Sequence, residues 1–457
     1  MMKKIFILTL LVTLTVVQTP AKTSVEPVKT TEYLNINWWE KFNDENLTNN
    51  LLTVYQNNYD LKNAALKVKE NEKLVKMQIA EELPFVNFSG DLNRDLQAPR
   101  QQFGAMQIPK YSQYNYRLPI TMGYEIDIWG SNRLKTKRVK EQLEIIKQAE
   151  RATYITLTSD FAADYFNLIK ADKLLEIQNE LVKTQEEIVS MVSEKYKIGL
   201  CSVNELLAEE KLLTSLKEER NKHKLTKEIL EETLKVYLAN NNENIKRSNY
   251  NDIKLLTNIP QEYNSQIIEN RPDFKQEEAN IKQIGFDVQI AKREFLPKFT
   301  ILGQIGLNAY TLGSLFNSPS QFFNLGILPT MDLFSGGKKL AFFKLKKYQY
   351  EEAMNDYQKT ILVGIKELNA GVLEYKTALE NYNQSESRLK TQTKIYTLAQ
   401  DKNKIGASAN LDVLYAKEAY LLTKEEEVSN KINSLIATIG LYKAAGGTDL
   451  YKINENI

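Results

Sequence analysis

Two periodicities alternate along the chain. Apolar residues hold every even position from 114 to 128, namely Tyr114, Tyr116, Leu118, Ile120, Met122, Tyr124, Ile126 and Ile128, while Asn115, Arg117, Thr121, Glu125 and Asp127 stand among the odd ones. A period of two with one apolar face predicts a strand. Phe323, Leu325, Ile327, Met331 and Leu333 repeat the pattern, and Val86, Phe88, Leu92 and Phe299, Ile301, Ile305, Leu307 supply partners. Four strands are therefore expected, near residues 83–96, 112–129, 297–311 and 320–334, forming two hairpins.

Elsewhere the period lengthens. Tyr154, Phe161, Leu168, Leu175, Val182, Val189 and Tyr196 stand seven apart, flanked by Leu174, Leu181 and Ile188. Such a heptad stripe predicts a packed, supercoiled helix. No proline occurs between Pro119 and Pro260, and none after Pro329. A continuous helix from Asn132 to Lys197 would be about 100 Å long, roughly three bilayer cores. Its length and charge place it in water.

The pattern occurs twice. Residues 60–83, "DLKNAALKVKENEKLVKMQIAEEL", precede Pro84, and residues 273–296, "DFKQEEANIKQIGFDVQIAKREFL", precede Pro297, an offset of 213. Asp127 matches Asp332 at an offset of 205, and "KIG" recurs at Lys197–Gly199 and Lys404–Gly406 at 207. The order of helix, hairpin and long helix is thus an internal duplication. The fall in offset puts a length difference in "QAPRQQFGAMQIPKY", which reads as a loop. Strand meets helix at two seams, Asp127, Trp129, Gly130 and Asp332, Phe334, Gly336, Gly337. At each an amphipathic strand ends, an aromatic sits at an interface and glycine turns the chain, with Ser131 expected to cap the first long helix. Four strands cannot close a membrane barrel, which needs at least eight. Three copies would pool twelve and remove the open edges.

Composition narrows the function. The 457 residues are 26% charged and 42% hydrophobic, and 60 basic against 58 acidic residues leave a formal charge of +2. No global field draws nucleic acid. Lys3-Lys4, an apolar run from Ile5 to Val17 and then Thr19-Pro20-Ala21 read as an export signal over residues 1–21. One cysteine, Cys201, and one histidine, His223, allow no internal disulfide, no nucleophile pair and no Cys/His metal set. "SGGKK", Ser335 to Lys339, lacks the first glycine of a phosphate loop, Asp332 standing there, and reads as a turn that starts a helix. No cofactor and no enzymatic activity are expected.

The chain resembles the TolC-like outer membrane efflux proteins, in particular the OprM/NodT-type channels of tripartite pumps. "WWEKFNDENL", Trp38 to Leu47, is similar to that family's N-terminal signature, "IPQEYNSQIIENRPDF" to its mid-chain link and "YKAAGGTD" to its closing helix end. The resemblance implies a mainly α fold with a small β part: a trimer with a 12-stranded outer membrane β-barrel above a coiled-coil periplasmic α-barrel. Its domains would be an N-terminal equatorial segment at 22–57, repeats at 58–240 and 271–445, a linker at 241–270 and a tail at 446–457. It implies an outer membrane exit duct that passively conducts drugs or other small molecules. The partners implied are a periplasmic adaptor, an inner membrane transporter of the RND type and outer membrane lipid, in a Gram-negative bacterium.

By the same resemblance, Lys197, Ile198, Gly199 and Ser202, with Lys404, Ile405, Gly406 and Ser408, form the helix-turn-helix tips that meet the adaptor. Asp412, in "LDVL", would ring the closed aperture with its symmetry mates. Two departures stand out. No cysteine marks a lipid-attachment point after the signal, so the barrel alone is expected to anchor the protein, and Tyr415, Asn403 and Ser408 replace an acidic residue and latch partners. The alternatives are a duct for type I protein secretion and a trimeric coiled-coil surface or structural protein. The second would be expected to gather its strands in one terminal block.

Overall fold

A computed structural model describes residues 36–97, 100–101, 107–108, 111–240, 244–256 and 266–447. The expected export signal and all but two residues of the expected tail lie outside them. Three helices lead in, α1 (Ile36–Glu40), α2 (Glu45–Asn57) and α3 (Tyr59–Ala80). The first hairpin comprises β1 (Phe85–Phe88) and β2 (Asp91–Gln97), which form one interrupted strand, a minor pair β3 (Arg100–Gln101) and β4 (Gln107–Ile108), and β5 (Tyr111–Ile126). Two long helices follow, α4 (Ser131–Lys197) and α5 (Val203–Leu238). The second half opens with α6 (Gln266–Glu269) and then repeats the order as α7 (Pro272–Arg293), β6 (Lys298–Ala309), β7 (Gln321–Thr330), α8 (Lys338–Lys404) and α9 (Asn410–Ala444). The duplication is metric as well as topological: α3 and α7 have 22 residues each, α4 and α8 67 each, and α5 and α9 36 and 35.

The two hairpins join through β5 and β6 into one antiparallel sheet, in the order β1/β2, β5, β6, β7. Tyr116 faces Ala309 and Ile126 faces Phe299, a register that keeps both apolar sets on one side. The break between β1 and β2 lies opposite Leu118 and Pro119. Proline has no N–H for the ladder, and only its carbonyl is used, accepting from Ser89 N at 3.1 Å. On the other side of Pro119 the strands crowd: a Cβ on Gly306 would come within 2.3 Å of the Leu118 carbonyl oxygen. The strands end sooner than the alternation suggests. Ile128 N donates back to the Ile126 carbonyl at 2.9 Å, bending the chain at the seam, and β6 begins at Lys298, which leaves residues beyond Thr330 nothing to pair with.

Below the sheet the core forms around α4. Tyr154, Phe161, Leu168, Leu174, Leu181, Val182 and Ile188 of the heptad stripe are buried, whereas Tyr196, near the far end, is exposed. The N-terminal segment wraps this beam at mid-height: Trp38 stacks on Tyr442 of α9 with centroids 4.2 Å apart, and Phe42 meets Phe166. Each such side chain contributes about 2–3 kcal/mol by leaving water. Two polar clamps fix the belt. Asp44 caps α2 through Leu47 N at 3.0 Å and accepts from Tyr165 Oη and Ser248 Oγ at 2.9 and 2.8 Å. Arg271 donates to the Ala444 carbonyl at 2.7 Å and to Asp273 and Glu367, joining α7, α8 and the end of α9.

Candidate functional site

The two faces of the sheet differ in character. One face carries Val86, Phe88, Leu92, Tyr114, Tyr116, Leu118, Ile120, Met122, Tyr124, Ile301, Ile305, Phe323, Leu325 and Ile327. The opposite face carries Asn87, Asn115, Arg117, Thr121, Glu125, Thr300, Gln304 and Asn324, with Phe85, Leu302, Phe322 and Leu328 among them. These polar groups are tied together: Arg117 Nη2 donates to Gln304 Oε1 at 2.7 Å and lies 5.0 Å from the Phe322 ring centre, and Gln304 Nε2 donates to Thr121 Oγ1 at 3.2 Å. Such a sheet suits lipid on one side and water on the other.

At the first seam the chain turns through Gly130, at φ +68°, and Asp127 rather than Ser131 caps α4. Its carboxylate accepts from Asn132 N and Arg133 N, both at 3.1 Å, and Ser131 is already the first helical residue. Trp129 Nε1 donates to the Pro297 carbonyl at 2.8 Å, tying the first seam to the start of the second hairpin. The second seam is looser. Asp332 pairs with Lys339 at 3.3 Å, Gly336 and Gly337 have φ of +58° and +80°, and the Phe334 ring is exposed.

The far ends of both helical pairs reverse in the same way. Gly199 has φ +76° and Gly406 +74°. Leu200 N reaches back to the Lys195 carbonyl and Ala407 N to the Lys402 carbonyl, each at 2.8 Å, closing the ends of α4 and α8. Nothing lies within 4 Å of where a Cβ would stand on either glycine. Ser202 caps α5 through Glu205 N at 3.2 Å. Ile198, Leu200 and Ile405 project into solvent, while Asn403 Nδ2 donates to the Ser408 carbonyl at 3.0 Å and braces the second turn. The two tips adjoin, since Leu411 and Leu414 of α9 pack with Ile188 and Val192 of α4. Asp412 is exposed just behind the second tip, and its Oδ2 accepts from Ala409 N at 3.1 Å.

A family profile described as outer membrane efflux protein matches residues 52–240 and 264–447. The chain belongs to that family. Among curated proteins, a probable efflux pump outer membrane protein, TtgC of Pseudomonas putida, is 25% identical over 415 residues, 90% of this chain and 84% of that one. A probable outer membrane lipoprotein, SilC of Salmonella typhimurium, is 24% identical over 434 residues, 93% and 91% of the two chains. Among solved structures, the CmeC outer membrane channel of Campylobacter jejuni superposes with a TM-score of 0.82 at 24% identity, covering 93% of this chain and 91% of that one, which shows the shared fold.

Within this efflux protein the sequence motifs do not all converge. Each seam and each tip is assembled as a local unit, the two tips touch, and Trp129 links the first seam to the second hairpin, whereas Phe334 stays exposed. Sequence reasoning missed a polar ladder above the tips that binds α9 to the first helical pair. Tyr415 Oη donates to Glu209 Oε1 at 2.7 Å, Gln185 Nε2 donates to Glu209 Oε2 at 2.6 Å, and one step higher Gln178 Nε2 donates to Glu425 Oε1 at 2.7 Å. Burial raises the Glu425 carboxyl from 4.5 to about 7, with Glu219 adding to the rise and Gln178 opposing it. Burial and the nearby Glu209 raise Glu418 as well. Tyr415 was visible as a departure from the family pattern, but its partner, 206 residues away, was not. Among the described residues no helix is long and apolar enough to cross a membrane, and no group of three or more His, Cys, Asp or Glu side chains forms a metal site.

Proposed function

We propose that three copies of the chain form the outer membrane exit duct of a tripartite efflux system for drugs or other small molecules. The observation that carries this reading is the two-faced sheet with open edges at β1/β2 and β7. An eight-stranded ring, from two copies, would have its interior filled by side chains. Twelve strands 4.8 Å apart and tilted about 40° enclose a ring about 24 Å across between backbones. Three is therefore the smallest number of copies that gives the polar face a watery lumen. The helical part supports the same count of interfaces. On α5, Leu207, Leu212, Leu225 and Ile229 are exposed, as are Leu345, Leu362, Leu373 and Leu398 on α8. These helices are the outer members of the two pairs, and a neighbouring copy would cover them.

The tips at Gly199 and Gly406 are the adaptor-docking surface in this reading, because open space beside each glycine lets another helical hairpin approach. Asp412 contributes one carboxylate of three to the periplasmic aperture, and an inner membrane transporter of the RND type supplies the energy. Crosslinking in membranes should stop at three subunits, and reconstituted protein should conduct ions across planar bilayers. A stable folded monomer in detergent would overturn the assembly on which the duct depends.

A further inference from the structure

The apolar face of the sheet carries a single charge. Along β1, β2, β5, β6 and β7 the positions that share the face of Ile120 and Ile305 hold aliphatic, aromatic, small or neutral polar residues, with Arg94 the exception. Its strand neighbours Asn93 and Asp95 lie on the opposite face, so no acid on β2 reaches it by alternation. The guanidinium stands over the Tyr114 ring, 5.3 Å from its centre, and Nε donates to Ser112 Oγ at 3.1 Å. These contacts hold the fork in place, and among the described residues neither Nη nitrogen of Arg94 has a hydrogen-bond or carboxylate partner.

Its height is set by register. Arg94 faces Tyr114, twelve residues along β5 from Ile126 at the seam. At about 3.3 Å per residue and a tilt near 40° this is roughly 30 Å above the seam, just beyond an apolar band about 25 Å tall. The seam, with Trp129, marks one interface, and Arg94 with Tyr114 and Tyr116 marks the other. We propose that Arg94, held by Ser112 and Tyr114, is a binding site for the phosphate of an anionic outer-leaflet lipid headgroup, with one site on each copy. A planar fork with two free nitrogens matches two phosphate oxygens, and the tyrosines take the adjoining acyl and sugar surface. Simple snorkelling of the side chain toward water would leave no preference for phosphate.

This inference rests on the barrel reading above, and the test separates the two. The purified full-length assembly would be titrated in neutral detergent with lipid A, a diphosphorylated glycolipid, and bound lipid counted by native mass spectrometry, with phosphatidylcholine and inorganic phosphate as parallel arms. Up to three tightly held lipid A molecules per trimer are expected, with about tenfold weaker retention in Arg94→Gln and a smaller loss in Arg94→Lys, which keeps the charge without the fork. Equal retention by wild type and Arg94→Gln, or binding of phosphatidylcholine as tight as that of lipid A, would overturn the site while leaving the trimer intact. Displacement of lipid A by millimolar inorganic phosphate would show that the site takes the free anion and would equally overturn it. Absence of a trimer would instead refute the barrel.

Discussion

Glu425 offers a quantitative check on how α9 is held against the first helical pair. A carboxyl whose pKa is higher in the folded than in the unfolded chain weakens folding as it ionises. Below 4.5 both states are protonated and nothing is lost; between 4.5 and about 7 the loss grows, and above 7 it is complete. The span is worth at most about 3 kcal/mol at 1.36 kcal/mol per pH unit, and partial solvent access trims it to about 1.5–3 kcal/mol. Glu425→Gln keeps the acceptor for the Gln178 amide and removes the titration. For a chain of this length the unfolding entropy is about 1 kcal/mol/K, so the variant should melt about 2–3 °C above wild type at pH 8. At pH 5 the gap should nearly close. Circular dichroism melts of the detergent-solubilised protein at the two pH values, at one scan rate, read this directly. A difference independent of pH would refute burial of an ionisable Glu425 between α4 and α9.

Other expectations follow from single contacts. Replacing Gly199 or Gly406 with Trp should abolish efflux in a drug-susceptibility assay while membrane-inserted trimer persists; the Ala variants share the roughly 1–2 kcal/mol cost of a left-handed residue but should retain transport, and a transport-competent Trp variant would remove the tips from the docking surface. Arg271→Met should destabilise the chain by about 2–4 kcal/mol in denaturant melts, since it uncaps α9 and leaves Asp273 and Glu367 unpaired. Asp412→Asn should lower cation selectivity in single-channel recordings with helix content unchanged; unchanged selectivity would assign Asp412 to capping alone, because Asn caps about as well as Asp.

How much of this was legible depended on whether the signal was periodic or pairwise. The heptads of α4 and the alternation of β5 each repeat a local preference many times, so the long helix and the two-faced strand could be read from the chain. The reversals at Gly199 and Gly406 were legible because a left-handed residue after a long helix favours glycine. Contacts between distant segments left no such trace. The pairing of β5 with β6, the Trp129 to Pro297 bond and the Tyr415 to Glu209 bond each depend on two residues far apart in sequence. The cap at the first seam was misread for a subtler reason. Ser131 is the usual residue type at a helix start, but the left-handed Gly130 turns the chain so that Asp127 comes over the free N–H groups instead.

The duplication itself hides an inequality that bears on how such a duct can work. Two 67-residue helices of the same register would be interchangeable if sequence repeats implied equal environments, but they are not. Helix α4 is buried by α3, α5, α7 and α9 along much of its length, whereas α8 buries only Ala353, Gly364, Leu368, Gly371, Tyr375 and Ser385. Within one copy α4 is therefore the beam, while α8, like α5 with only Leu216, Leu234 and Leu238 buried, leaves apolar residues that a neighbouring copy would cover in the proposed trimer. Near the tips α9 is held to α4 and α5 by a small apolar cluster, Leu411 and Leu414 with Ile188 and Val192, and by polar pairs in which Tyr415, Gln178 and Lys417 each reach one carboxylate. Partly exposed polar pairs contribute about 1 kcal/mol each, small beside the aromatic belt around Trp38 and Tyr442. In the proposed duct the small cluster near the tips is a lesser hold than the belt, so motion that widens the proposed aperture would start at the tips of α8 and α9 and stop at the belt.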